Sequence, residues 1–331
     1  MFTKNDFDIL DKINDGPFWE TYVVKTTGHT KTIKKFFEIR VMQKQKVVNF
    51  EEEVRVVKEV FERSRLRHIY ICNIVDVFQD YDNCYLVGDL PCGGYLYFYL
   101  RRCGVFSDEI SRFFIAQIIS AVQYLHKRKI IYRFLSPENI MITGNGHIKL
   151  RMDFMNKIGM IQEKFEENIA YVPVDYLREG KLTNASDYWS IGLILYEFLF
   201  GRTPFDGRNP QETLENIMQK RVAFPKFVDP KAENLLIRLL DKYDFRRLGF
   251  DKKDRMLIRE HPFFEDLNWE GIEANKIDSP LFLEPIRMFE KPGKKMDVLF
   301  RSNHKEGHVD GYGALFSCFG KNEKITHSED I

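Results

Sequence analysis

The chain has 331 residues, 44% of them hydrophobic, enough to build one large two-part domain or two ordinary ones. Fifty Lys and Arg against 49 Asp and Glu leave a formal net charge of +1, so neither nucleic acid nor an acidic membrane is favoured as a partner. Five cysteines, at 72, 84, 92, 103 and 318, are odd in number and form no CxxC pair, which argues against a disulfide framework or a zinc site.

The opening residues show no apolar signal region, and Phe2 stands where N-myristoylation needs glycine. The longest apolar stretch, Ile191 to Phe200, is too short to span a bilayer and contains Glu197. The expectation is an intracellular protein, cytoplasmic or nuclear.

Over the first ninety residues, β-branched and aromatic runs such as Thr21-Tyr22-Val23-Val24 and Tyr85-Leu86-Val87 predict antiparallel strands. One helix, about 48–61, interrupts them, its acidic start Glu51-Glu52-Glu53 suiting a helix N-terminus. From residue 95 the period turns helical. Ile110, Phe113, Phe114, Ile118, Ala121, Val122 and Leu125 share a face behind a candidate N-cap at Ser107.

A hairpin is expected within 130–150, broken by Gly144-Asn145-Gly146. A second helix runs from Thr183-Asn184 to Phe200, stopped by Gly201 and Pro204, and a third opens at Asp229-Pro230. Beyond His261-Pro262-Phe263-Phe264 the periodicity fades into an extended strap, with 320–331 expected to be disordered.

The segment Tyr132-Arg133-Phe134-Leu135-Ser136-Pro137-Glu138-Asn139 resembles the catalytic loop of serine/threonine kinases, usually Y/H-R-D-L-K-P-E-N. Gly93-Gly94-Tyr95-Leu96, Ser186-Asp187-Tyr188-Trp189-Ser190-Ile191-Gly192, Gly201-Arg202-Thr203-Pro204-Phe205 and Arg246-Arg247-Leu248-Gly249 follow in the order and spacing of the cAMP-dependent (AGC) type. The resemblance covers about residues 7–290. It implies an α+β, bilobal protein-kinase fold: a kinase-like domain at 7–264, divided into a small antiparallel β lobe with one helix (7–88) and a large helical lobe (89–264). An AGC-type C-terminal tail, 265–331, follows, in which Phe316 and Phe319 resemble the terminal hydrophobic motif that docks on the small lobe.

The same resemblance implies ATP and Mg²⁺ as cofactors, and the residues undercut both. The base position is Phe134, which can neither accept a proton nor align a hydroxyl, a loss worth roughly two to four orders of magnitude in rate. Ser136 replaces a lysine that steadies the transferred phosphoryl. Only Gly16 remains of the three glycines of the phosphate loop. Thr21 and Thr32 stand where small apolar residues cover the adenine, Gly88 aligns with the gatekeeper, and Pro91 at the hinge has no N–H to offer it.

Lys34, with Lys35 as a competitor, aligns with the third-strand lysine, nineteen residues before its helix partner Glu53. Asn139 keeps a metal-ligand position with Glu138 before it. The metal aspartate falls on Met152, or on Asp153 if the register slips by one. No serine or threonine lies between Met152 and Pro173 for activation-loop phosphorylation, and the glutamate expected to pair with Arg247 is missing unless Asp175 substitutes.

Two readings stay open: a kinase-shaped regulatory or scaffolding protein that has lost catalysis, or an atypical active serine/threonine kinase transferring the γ-phosphate of ATP to protein hydroxyls. Protein partners are expected, a kinase regulatory subunit or another kinase, and neither nucleic acid nor membrane.

Overall fold

Alternation of inward apolar and outward residues builds the first sheet. In the computed structural model β1 (Phe7–Asp15), β2 (Trp19–Thr26), β3 (Phe36–Gln43), β4 (Ile74–Gln79) and β5 (Asn83–Asp89) pair antiparallel in the order β4-β5-β3-β2-β1. A short β8 (Lys294–Lys295) joins the free edge of β1, with Ile9 opposite Lys294. The structure describes residues 2–15, 19–27, 36–49, 53–133, 135–152, 168–251, 254–281, 294–296, 312, 314–316 and 319.

The chain divides into two compact units: Met1–Arg67, Cys72–Cys92 and Arg287–Ile331 form the first, His68–Ile71 and Gly93–Ile286 the second. One face of the first unit's sheet carries its apolar core. Phe7, Ile9, Val24, Phe37, Ile39, Val41, Phe78, Tyr85 and Val87 pack there with Met296, which follows β8. Instead of the single helix expected at 48–61, α1 (Lys44–Asn49) and α2 (Glu53–Ser64) flank residues 50–52, which lie outside the described residues. Lys44 starts α1 directly after β3. Its buried ammonium donates to the carbonyl of Asp80 (2.6 Å) and its amide to that of Asp82 (2.9 Å), which holds the helix to the β4–β5 turn.

The second unit is helical. Its centre is α4 (Asp108–Lys127) against α6 (Asn184–Phe200), with α3 (Leu96–Cys103), α5 (Val174–Glu179), α7 (Pro210–Gln219) and α8 (Pro230–Leu239) around them. Helix ends fall where their caps allow: Ser107 Oγ accepts from Ile110 N, Thr183 Oγ1 from Ala185 N, and Asp229 Oδ1 from Lys231 N. Gly201 ends α6 at φ 73°, and a Cβ there would come within 2.9 Å of the Gly104 carbonyl, so both conformation and packing require glycine. Every residue of α6 from Ala185 to Phe198 is buried, as befits a helix apolar on nearly all sides.

The hairpin expected over 130–150 narrows to β6 (Ile140–Ile142) and β7 (Ile148–Leu150), and 131–133 and 135–136 form an irregular loop before it. Residues 320–331 lie outside the described residues. No helix among the described residues is long and apolar enough to cross a membrane.

Candidate functional site

The loop between α4 and β6 is built from its backbone outward. Asp187, in the first turn of α6, is 1% exposed and accepts from the amides of Tyr132 (Oδ2, 2.8 Å) and Arg133 (Oδ1, 2.8 Å). His126, at the end of α4, meets Asp187 Oδ2 through Nε2 at 2.6 Å. Arg133 takes a left-handed φ of 79°, a strain that these two amide bonds hold in place. Tyr132 Oη donates to the Arg151 carbonyl (2.5 Å), and the Asn139 carbonyl accepts from Arg151 N (2.9 Å), which ties the loop to the strand leading towards Met152.

The loop's scaffold is therefore complete. Its working positions are not: Phe134, outside the described residues, sits between the clamped Arg133 and the buried Leu135, and Ser136 is buried. Asn139 is half-buried beside Glu138, whose Oε2 accepts from Asn168 Nδ2 (2.9 Å). Met152 is buried, and Asp153 lies outside the described residues. Among the described residues no cluster of three His, Cys, Asp or Glu side chains is gathered to hold a metal ion.

Lys34 and Thr32, read from sequence as belonging to the third strand, lie with Gly16 outside the described residues; among the described residues β3 runs from Phe36 to Gln43. The basic residue at mid-strand is Arg40. Glu53 begins α2, and the same nineteen-residue spacing from Arg40 leads to Glu59 within that helix.

Side chains of β3 alternate. Phe37, Ile39 and Val41 enter the core, whereas Glu38 and Arg40 point to the opposite face, where their strand partners are Val23 and Thr21 on β2 and Gly88 and Leu86 on β5. Glu38 Oε1 lies 2.7 Å from Arg40 Nε, both side chains 8% exposed. Thr21 is fully buried, and its hydroxyl finds no hydrogen-bond partner among the described residues. Gly88, directly across from Glu38, has room for a side chain: a Cβ there would meet only the Asn73 and Glu38 carbonyl oxygens at 3.6 and 3.9 Å.

Arg247 settles the question left at Asp175. Its guanidinium is 0% exposed and donates to Asp175 through both Nη1 (Oδ2, 2.6 Å) and Nη2 (Oδ1, 2.9 Å), with further bonds to the Ala185 and Asp241 carbonyls. Asp175 therefore occupies the role one residue later than expected, a bidentate pair that holds α5 on α6.

Glu197, on α6, is a group the sequence showed only as an interruption of an apolar run. Its carboxyl is 4% exposed, 3.8 Å from Arg101 Nη2, and Oε2 has no hydrogen-bond partner among the described residues. Burial pushes its pKa up to about 7; Arg101 opposes this, and Glu138 and Asp206 add to it.

A model of the protein kinase domain matches residues 8–264. The chain belongs to the protein kinase family. It is 31% identical over 289 residues to a cAMP-dependent protein kinase catalytic subunit of Schizosaccharomyces pombe, covering 85% of this chain and 54% of that protein. It is 30% identical over 282 residues to the human RAC-beta serine/threonine-protein kinase (84% and 58%) and over 327 residues to a cAMP-dependent protein kinase catalytic subunit of Arthrobotrys oligospora (96% and 61%). The chain thus spans little more than half the length of these relatives.

Protein kinase domains in general use ATP and Mg²⁺, with the β3 lysine on the phosphates and carboxamide and carboxylate oxygens on the metal. Two described features depart from that pattern on the nucleotide side: the basic group of β3 is an arginine paired with Glu38, and Pro91 has no N–H.

Proposed function

We propose that this chain is a pseudokinase of the cAMP-dependent kinase type, a regulatory or scaffolding protein that binds other proteins and does not transfer phosphate. The observation that carries the reading is the clamped loop. Asp187 holds the backbone of Tyr132 and Arg133 with a buried carboxylate, yet the residue that follows them in sequence is Phe134. A scaffold kept at this cost in buried polar groups, around a position with no proton acceptor, supports retention of shape rather than of chemistry.

Its partners are proteins, a kinase regulatory subunit or another kinase. The test is transfer of labelled phosphate from Mg²⁺- or Mn²⁺-ATP onto the protein itself and onto a basic serine peptide. Background counts are expected, also for Phe134→Asp, since Ser136 and the β3 substitution remain. Transfer well above background that is lost in Arg40→Ala would overturn the reading in favour of an atypical active kinase.

A further inference from the structure

The face of the first unit's sheet opposite its core is nearly as buried as the core itself: Thr21 is 0% exposed, Val23 2%, Leu86 3%, Glu38 6% and Arg40 7%. At its centre is an ion pair. A guanidinium two residues along the same strand from a carboxylate lies on the same side of the pleat, and the 2.7 Å contact makes the pair a fixed part of the sheet.

We propose that Glu38 is the residue that closes this face to phosphate-bearing nucleotides, acting as an internal anion in the place of the phosphate. This rests on the pseudokinase reading and adds to it a named specificity determinant. Three features point the same way. The Glu38 carboxylate already takes the Nε donor of the strand's one mid-length cation, so an incoming phosphate competes with it for that guanidinium. Its negative charge repels polyphosphate in a setting screened from water. Its side chain occupies this buried face of β3, and a purine laid against β3 there would have to share that space.

Removing the carboxylate should therefore give a binding function the natural chain lacks. Glu38→Ala takes away the carboxylate at Arg40 Nε and the side-chain volume it fills on this face. Leaving a buried Arg40 without this partner also favours any ligand that supplies an anion.

The experiment measures dissociation constants of ADP and ATP, without metal, by calorimetry on the full chain. Tightening by about tenfold to hundredfold is expected for Glu38→Ala over the natural protein, the span that one charge-assisted hydrogen bond supports. The gain should vanish in Glu38→Ala/Arg40→Ala. Glu38→Gln keeps the volume, removes the charge and is the fallback if the alanine variant fails to fold; a smaller gain of the same sign is expected. Equal affinities for the natural protein and both Glu38 variants, or a gain that survives loss of Arg40, would overturn the proposal. Phosphate transfer by the natural protein would instead overturn the pseudokinase reading, so the two failures are distinguishable.

Discussion

Glu197 and Lys242 are single groups whose surroundings work against their ordinary charge. The Glu197 pKa is raised to about 7, mainly by burial, so the folded state holds a proton that the unfolded chain has already released across the interval from about 4.5 to 7. Stability attributable to this group falls as pH rises through that window. Glu197→Gln should then melt higher than the natural protein at pH 8 and lose that advantage at pH 4.5, as read by thermal melts at both.

Lys242 is the mirror case. Its ammonium lies over the Phe205 ring (3.8 Å) and the Trp189 ring (5.1 Å), and burial, with Arg178 and Arg247 nearby, lowers its pKa to about 7. The unfolded chain binds the extra proton between about 7 and 10.5, so this group's contribution improves as pH rises across that interval. Lys242→Met should raise the melting temperature most at pH 6 and least at pH 9.5. Neither shift was legible in sequence, because each depends on neighbours brought in from other helices.

At the scale of elements, caps and breakers were readable because they act locally. Ser107, Thr183, Asp229 and Gly201 all stand at the helix ends their chemistry predicts. Ser107→Ala should cost about 1 kcal/mol in urea unfolding, the usual loss for a cap whose oxygen bonds a first-turn amide.

The described length of β3 is legible in sequence from the alternation of Phe37, Ile39 and Val41 with Glu38 and Arg40. Asp175 was undecidable in sequence because a one-residue offset can be judged only from where two side chains meet. Asp175→Ala leaves Arg247 buried without its carboxylate and should destabilise the helical unit by about 3–5 kcal/mol, checked by a lower urea midpoint.

At the scale of the whole molecule, the resemblance exposed the order of strands and helices almost completely, whereas the electrostatic centre of the first unit emerged only from the sheet. From Arg287 onward the tail belongs to that unit. Phe316 and Phe319 are 0% exposed, with ring centroids 6.3 Å apart; Gln79 Nε2 donates to the Phe316 carbonyl (3.2 Å), and Tyr312 Oη to Gln45 Oε1 (2.6 Å). Phe316→Ala should therefore cost about 3–5 kcal/mol, and the loss should appear in hydrogen exchange of the sheet before that of α4 and α6.

The pairing of β8 with β1, and the seating of Met296 among Phe7, Ile9 and Phe37, also set an order of events at the ribosome. Strands made first must wait for partners made last. At ~5–20 residues per second, that leaves the β1 edge and part of its core uncovered for on the order of ten to fifty seconds of synthesis. Messages truncated before residue 294 should therefore yield sheets with an open β1 edge that stick to one another.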